Sequence, residues 1–276
     1  MYFSGTGTTE KIVKAIAEEI AASGYAKADH IDFTPPEARK RSYEFGPEDI
    51  VVFGVPVIAG RVPNVLLKFL LGDAKKDRTS CITGGGALAV PIVLYGNRNY
   101  DDALIELRNI LEERGFHTVA AAAFIGEHSF SRILAAGRPD EEDMKVASGF
   151  ARDVAEKIRE LGNRIPEPIE VKGETPIRDY YKPRDRHGEH INILKVTPKL
   201  DESKCDGCGV CVAACPMGSI KKEAPGVVDG ICIKCCGCEK KCPEGALYFD
   251  DSGYIYHKEE LEFLYGDKRR EPEVFI

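Results

Sequence analysis

The segment CDGCGVCVAACP, residues 205–216, is followed by CIKCCGCEKKCP, residues 232–243, and the two share one cysteine spacing. Each reads C-x-x-C-x-x-C-x-x-x-C-P, and together they contain nine of the chain's ten cysteines, eight of them in the shared spacing. Thiolates at this spacing are typical ligands of iron–sulfur clusters, so the segment predicts two such centres. Cys236 falls off the spacing and is interpreted as a non-ligand, and Cys81 as a small buried apolar residue.

Two other interpretations of the cysteines remain open. A zinc ribbon also pairs C-x-x-C units, although it uses four ligands per metal and not two overlapping sets of four. A disulfide scaffold is usually short and rich in cysteine throughout. Here the first 200 residues contain only Cys81.

Residues 195–252 resemble the bacterial two-cluster ferredoxins through these two cysteine runs. The resemblance implies that the fourth cysteine of each run binds the cluster of the other run. The implied ligands of the first [4Fe–4S] cluster are Cys205, Cys208, Cys211 and Cys242. Those of the second [4Fe–4S] cluster are Cys232, Cys235, Cys238 and Cys215.

Length and composition predict a protein of two parts. The chain has 276 residues, more than one average domain, and the cysteine-rich segment is too short to account for them. A net charge of −7 disfavours nucleic acid as a partner. No apolar run approaches the roughly 20 residues that span a bilayer, and no secretory signal is recognisable. Iron-bound thiolates need a reducing compartment, so we expect a cytoplasmic protein of an anaerobe.

The amino-terminal part alternates apolar strands with amphipathic helices. Strands are predicted at residues 1–3, 50–55, 89–95 and 116–125. Helices are predicted to begin after the loop that ends at Thr9, at Pro63, at Asp101 or Asp102, and with Pro139 and Asp140. This pattern predicts an α/β fold with a doubly wound parallel sheet. Because only three residues precede the first loop, the first strand is either very short or begins upstream of this chain.

The loop at residues 4–9 carries the candidate chemistry of this part. Its residues are Ser4, Gly5, Thr6, Gly7, Thr8 and Thr9. It joins a strand to a helix amino terminus, where free N–H groups and the helix dipole favour an anion. It lacks the lysine of a nucleotide-hydrolysing P-loop. A structural turn without a ligand is the alternative.

This hydroxyl-rich loop resembles the phosphate loop of flavodoxins, and the resemblance covers residues 1–163. It implies a five-stranded flavodoxin-like sheet that binds FMN at the carboxyl ends of its strands. Two further loops would then flank the flavin ring. They supply the expected cofactor-binding residues Pro56, Val57, Ile58, Ala59, Gly60, Arg61, Gly96, Asn97, Arg98 and Tyr100.

Several residues near the expected flavin carry separate hypotheses. Tyr100 is expected to cover one ring face, while Ile58 stands where flavodoxins usually place an aromatic residue and leaves that face more open. Arg61 and Arg98 would stabilise negative charge on the reduced ring and raise its potential. Alternatively, both arginines hold other parts of FMN or point into solvent. His128 follows the last predicted strand and is a candidate proton donor, although a lone loop histidine is more often structural.

The remaining segments are predicted to be less regular. Residues 164–194 contain four prolines and indicate a linker, either solvated or docked as a strap through Tyr180 and Tyr181. Residues 253–276 are predicted to form a short amphipathic helix and a charged tail.

As a whole, the chain resembles flavodoxin–ferredoxin fusion proteins. The resemblance implies electron transfer between FMN and two [4Fe–4S] clusters, with separate redox proteins as partners. The alternative is a flavin-dependent reductase, in which the clusters supply electrons that reduce a small-molecule oxidant such as a quinone. A redox-sensing role would need a regulatory domain, and none is recognisable.

Overall fold

The chain is organised around a mostly parallel β-sheet, seen in a computed structural model that describes residues 1–25, 27–72 and 80–276. The helices are α1 Thr8–Ala22, α2 Asn64–Leu70, α3 Ala103–Glu113, α4 Glu141–Leu161, α5 Val210–Ala214, α6 Gly237–Lys240 and α7 Ser252–Tyr265. The strands are β1 Tyr43–Glu44, β2 Ile50–Pro56, β3 Ile82–Thr83, β4 Leu88–Tyr95, β5 His117–Thr118, β6 Ala121–Ile125, β7 Lys199–Leu200, β8 Ile220–Lys221, β9 Ala224–Val228, β10 Leu247–Tyr248 and β11 Glu273–Phe275. Within the described residues, no helix is both long and apolar enough to cross a membrane.

The sheet is built from the apolar runs that the sequence predicts as buried strands. β2, β4 and β6 lie side by side and parallel, with Val52 opposite Val90 and Val93 opposite Ala123. The stretch 116–125 divides into two short strands, β5 and β6, which are both parallel to β4. The prediction of an α/β fold with a parallel sheet is confirmed.

The first strand of the sheet is reduced to a bridge at Tyr2. Tyr2 pairs in parallel with both Asp32 and Gly54, so it lies between the segment around Asp32 and β2. Hydrogen bonds from Tyr2 N to Ile31 O (2.9 Å) and from Phe3 N to Gly54 O (3.0 Å) hold it there. The loop at residues 4–9 therefore leaves from the interior of the sheet.

Helices cover both faces of the sheet because successive strand residues point to opposite sides. Val52 and Val90 belong to the apolar cluster that includes α1 and α4. Val51 and Phe53 belong to the cluster that includes α2 and α3. α1 contributes Ile12, Val13, Ile16 and Ile20, which recur at helical spacing and are all buried.

The cysteine-rich segment repeats a small unit twice. β7 pairs antiparallel with β10, and β8 pairs antiparallel with β9. α5 and α6 each begin inside one cysteine run, directly after a residue with left-handed backbone, Gly209 and Cys236 respectively. A small core of Cys211, Ile220, Cys238 and Leu247 holds the two units together.

Two further segments tie the cysteine-rich part to the sheet. The strap, residues 164–194, docks through a bond from Tyr181 N to Ala59 O (2.8 Å) and an ion pair between Arg178 and Asp102. The tail was expected only as a charged end, yet its β11 adds to the sheet antiparallel to β6. The chain therefore leaves the sheet after α4, forms the cysteine runs, and returns to the sheet edge.

Candidate functional site

The loop at residues 4–9 is shaped by its own hydrogen bonds. The Ser4 hydroxyl accepts hydrogen bonds from the N–H groups of Gly7 and Glu10, each 3.1 Å long. Gly7 has a φ of 101°, a left-handed conformation that suits glycine, and leads directly into α1. Ser4 and Gly7 therefore fix the loop, and neither is among the described residues that line the cavity beside it.

Polar groups of this loop are left without partners inside the protein. Thr9 is 1% exposed, and its Oγ1 has no hydrogen-bond partner among the described residues. In the same part of the chain, the N–H groups of Thr6 and Thr8 donate to no backbone oxygen. An unpaired buried hydroxyl costs roughly 1–3 kcal/mol unless a ligand completes it. The loop and the start of α1 therefore fit a phosphate.

A cavity of about 280 Å³ begins at this loop and follows the carboxyl ends of the parallel strands. We name it the cofactor cavity. Its walls contain these predicted cofactor-binding residues: Gly5, Thr6, Thr8, Thr9, Pro56, Val57, Ile58, Ala59, Gly60, Gly96 and Arg98. The structure thus brings together the three loops that the sequence indicates. His128 lines the same cavity from the loop that follows β6.

Besides Ser4 and Gly7, three of the predicted residues do not line the cofactor cavity. Arg61 pairs with the Glu106 carboxylate of α3, with 2.7 Å between Nη2 and Oε1. Asn97 donates its side-chain amide to backbone carbonyls of the tail. The Tyr100 hydroxyl donates to Glu273 of β11 at 3.0 Å. Tyr100 therefore does not cover the cofactor cavity, because its buried hydroxyl takes a partner from the tail.

Aromatic side chains that the sequence did not assign to the site also reach the cofactor cavity. Tyr181 of the strap lines it, and the Arg98 guanidinium lies 4.4 Å from the centre of the Tyr181 ring. Phe130 and His257 line it from the loop after β6 and from α7. The adjacent tyrosines of the strap were a signal for Tyr181, whereas no spacing marked Phe130 or His257.

His128 is a neutral hydrogen-bonding group in this structure. Its Nδ1 accepts a hydrogen bond from Phe130 N at 3.1 Å, which assigns the proton to Nε2. Burial lowers the pKa of His128 to about 3, and the positive charge of Lys240 contributes to the same direction. At neutral pH the ring can donate a hydrogen bond through Nε2, but it carries no extra proton to release. Its role in proton donation stays a prediction.

The eight regularly spaced cysteines gather around two separate cavities. The first is lined by Cys205, Cys208, Cys211 and Cys242. The second is lined by Cys215, Cys232, Cys235 and Cys238, with Cys236 beside them. Each set draws its fourth cysteine from the other run. Among the described residues, no group of three or more histidine, cysteine or acidic side chains is arranged to hold a single metal ion. A four-iron cluster does not need such a group, because each of its four irons takes one thiolate.

The two cysteine sets differ in their exposure. In the first set Cys208 is exposed, whereas in the second set Cys238 is buried and the other three cysteines are partly exposed. In the second set, burial raises the pKa of Cys235 to about 11 and that of Cys238 to about 12. A buried thiol stays protonated at neutral pH unless a metal replaces the proton. The second set is therefore suited to hold metal away from water.

The fourth cysteine of each run receives a backbone hydrogen bond. Ser219 N donates to Cys215 Sγ, and Ala246 N donates to Cys242 Sγ, both at 3.3 Å. Hydrogen bonds to sulfur stabilise the thiolate form and tune the potential of a bound cluster. The two halves of the cysteine-rich segment thus repeat this contact as well as the spacing.

The second cysteine set is in direct contact with the loop at residues 4–9. A Cβ placed on Gly5 would lie 3.2 Å from Cys235 Sγ. A Cβ placed on Gly237 would lie 2.6 Å from the Gly5 carbonyl oxygen. Cys235 also lines the cofactor cavity, together with Ile233 and Lys234. The cofactor cavity therefore ends against the second cysteine set.

Residues 198–221 match a family model described as a 4Fe-4S binding domain. The match contains the first cysteine run and supports an iron–sulfur cluster in this part of the chain. No curated protein matches the chain.

Solved structures similar to this chain include two large proteins. One is the rubredoxin oxygen:oxidoreductase from the anaerobe Desulfovibrio gigas, with 16% identity and a TM-score of 0.35. Another is a metal-soaked flavodiiron core from Synechocystis sp. PCC6803, with 20% identity and a TM-score of 0.34. Each match covers 58% of this chain and 35% of the other, so this chain spans about a third of their length. Function is not transferred across such distances.

Proposed function

We propose that this chain is an electron-transfer protein that binds FMN in the cofactor cavity and a [4Fe–4S] cluster in each cysteine cavity. The proposal depends above all on Cys235, which lines both the cofactor cavity and the second cysteine cavity. One side chain therefore belongs to the walls of two candidate redox sites. When bound, FMN exchanges one or two electrons and each cluster exchanges one, so the protein would couple one-electron and two-electron partners.

The loop at residues 4–9 would hold the FMN phosphate. The unpaired Thr9 hydroxyl and the free N–H groups supply donors without adding negative charge. Further along the cavity, Tyr181 and Phe130 offer aromatic surface, and Arg98 lies against Tyr181. An anion site at one end and aromatic walls at the other suit a flavin mononucleotide.

The order of segments across the sheet supports a flavodoxin-like assignment. It runs from the segment at Asp32 through Tyr2 and β2 to β4 and β6. Numbered along the chain, this is the 2-1-3-4-5 order of flavodoxin-like sheets, whose FMN binds where the order reverses. The loop at residues 4–9 directly follows the segment at Tyr2, and the order of segments reverses at this segment.

The exposure of the cysteines supports a different electron-transfer role for each proposed cluster. The first set includes the exposed Cys208, so a cluster held there would meet partner proteins. The second set abuts the loop at residues 4–9 through Cys235 and Gly237, so a cluster held there would exchange electrons with FMN. Electrons would pass between a partner at the surface and FMN through both clusters.

The size of the cofactor cavity favours electron transfer over the reductase alternative. About 280 Å³ lies at the lower limit of the roughly 300–1,000 Å³ of pockets that enclose one drug-sized molecule. A cofactor that fills this volume leaves little space for a second molecule over its ring. Burial also lowers the pKa of His128, which disfavours the imidazolium that a proton-donating reductase site would use.

The cations near the proposed flavin have a smaller role than the sequence indicates. Arg61 is engaged by Glu106 and lies outside the cofactor cavity within the described structure. Arg98 lies in the cavity but forms an ion pair with Asp101. Because a nearby carboxylate offsets its charge, we infer that Arg98 raises the flavin potential less than a free arginine would.

Anaerobic purification followed by quantitation of FMN, iron and sulfide tests the proposal. We expect about one FMN, eight irons and eight sulfides per chain, as two four-iron clusters require. Cys208→Ser should lower the iron content, because it removes a proposed ligand. Cys236→Ser is the matched control, since Cys236 lies beside the second cysteine set but is not a proposed ligand, and its thiol contacts the Tyr254 hydroxyl. This variant should keep the full iron content. Equal iron loss in both variants, or protein without flavin, would contradict the proposal.

A further inference from the structure

The two cysteine runs differ at the positions where the backbone turns left-handed. In the first run these positions are Gly207 and Gly209, with φ of 74° and 79°. In the second run the equivalent residues are Lys234 and Cys236, with φ of 54° and 56°. A side chain in this conformation costs roughly 1–2 kcal/mol that glycine avoids. Lysine at this place therefore needs an interaction that offsets the cost.

The Lys234 side chain is held where the second cysteine set meets the cofactor cavity. Its Nζ donates hydrogen bonds to Cys232 O at 2.9 Å and to Leu194 O at 3.1 Å. The residue also lines the cofactor cavity next to Cys235. Two carbonyl groups, one in the cysteine run and one in the strap, thus fix the ammonium group at this boundary.

The charge of Lys234 is not offset by a carboxylate. Among the described residues it forms no ion pair, and both of its hydrogen-bond partners are neutral carbonyls. The other cations near this boundary are paired, Arg98 with Asp101 and Lys240 with Glu127. The first cysteine run has only a hydrogen atom at the matching position. The second cysteine set therefore has a hydrogen-bonded positive charge in a partly buried wall, whereas the lysine that lines the first cysteine cavity, Lys222, is exposed.

We propose that Lys234 sets a difference in potential between the two clusters and makes the second cluster the easier one to reduce. This inference rests on the proposed function. Each electron added to a thiolate-bound cluster increases its negative charge, which a nearby fixed cation stabilises. The effect is larger in a partly buried wall than at the surface, because water and salt screen it less. Electrons entering at the exposed first cluster would then favour the cluster beside FMN.

An anaerobic redox titration followed by electron paramagnetic resonance tests this inference. Lys234→Gln keeps an N–H donor, one bond nearer to the backbone, but removes the charge. We expect the reduction potential of one cluster to fall by about 59 mV, so that this cluster becomes about tenfold harder to reduce as a one-electron couple. The redox wave of the other cluster should change less than twofold. Lys234→Arg keeps the charge and should leave both waves near their wild-type positions.

Lys222→Gln is the matched control. Lys222 lines the first cysteine cavity but is exposed, so removing its charge should change either wave less than twofold. If Lys234→Gln assembles poorly, Lys234→Gly tests the same loss of charge, because glycine suits a φ of 54°. Two waves that do not respond to either variant, or that shift equally, would overturn the role of Lys234. Protein that shows no cluster waves at all would instead contradict the proposed function.

Discussion

Gly237→Ala is expected to destabilise the protein, although alanine normally strengthens a helix. Gly237 is the first residue of α6, and its α-carbon faces the loop at residues 4–9. A Cβ there would lie 2.6 Å from Gly5 O and 3.3 Å from Ala214 O. Both atoms belong to backbone, so no side-chain rotation can relieve the contact. Either the loop at residues 4–9 or the second cysteine run has to move.

The magnitude follows from two opposing effects. Alanine in place of a helical glycine gains roughly 0.5–1 kcal/mol. Forcing a methyl group into a closely packed contact costs roughly 1–3 kcal/mol. The midpoints of the two ranges leave a net loss of about 1.25 kcal/mol, and each kcal/mol lowers the melting temperature of a protein near this size by about 2–4 °C. We therefore expect a fall of about 2.5–5 °C.

Anaerobic thermal melts of the loaded protein, with a flavin fluorescence titration, measure the effect. Gly149→Ala is the matched control, because Gly149 lies in α4 and a Cβ there would meet no atom within 4 Å. That variant should melt at or above the wild-type temperature and bind FMN normally. Gly237→Ala should melt lower and bind FMN more weakly. A Gly237→Ala protein that behaves like Gly149→Ala would refute the contact between the two loops.

Three further predictions follow from individual contacts. Burial lowers the pKa of His257 to about 4, so the folded protein resists protonation of this ring. The free energy of unfolding should therefore fall as the pH drops from 6.5 towards 4, by up to roughly 1.4 kcal/mol per pH unit. His257→Gln should make this dependence shallower in anaerobic melts, and an unchanged slope would contradict the assignment. Asn97→Ala removes hydrogen bonds of 3.0 and 2.6 Å to the carbonyls of Tyr265 and Lys268. The loop that contains Asn97 should then become less rigid, and the Kd for FMN should rise several-fold. An unchanged Kd would show that these two bonds do not support the loop. Asp102→Asn weakens the buried ion-pair partner of Arg178 and should speed limited proteolysis within residues 164–194. Glu174→Gln removes an exposed carboxylate that also pairs with Arg178, and it should not change the cleavage rate. Equal cleavage rates of the two variants would show that the ion pair with Asp102 does not hold the strap in place.

Local signals in the sequence predicted the elements that position the site. Asp140 begins α4 with a capping box, in which its carboxylate accepts the N–H of Asp143 and Asp143 reciprocates. Val51 to Val55 form a buried strand because both sheet faces are covered. The resemblance to two-cluster ferredoxins, and not the spacing alone, implied which thiols form a set, and the two cavities are lined by these same two sets. Their role as ligands stays a prediction.

Contacts between distant segments could not be predicted from local pattern. Tyr100 was expected at the flavin ring, but Glu273, far along the chain, binds its hydroxyl. Arg61 was expected beside the ring for its charge, yet Glu106 on α3 takes its guanidinium. The strand β11 has only three residues, too few for a period-two signal, and depends on the open edge of β6. In each case the position of the residue or strand depends on a partner that lies far away in the sequence, and not on the residue type alone.

The magnetic interaction between FMN and the nearer cluster tests the central claim most directly. The claim is that the cofactor cavity and the second cysteine set share a wall at Cys235. Electron paramagnetic resonance of partially reduced protein, compared with and without bound FMN, measures whether unpaired electrons on the two groups interact. We predict that FMN broadens or splits the signal of one cluster and leaves the other sharp. Cluster signals that are identical with and without FMN would contradict the account.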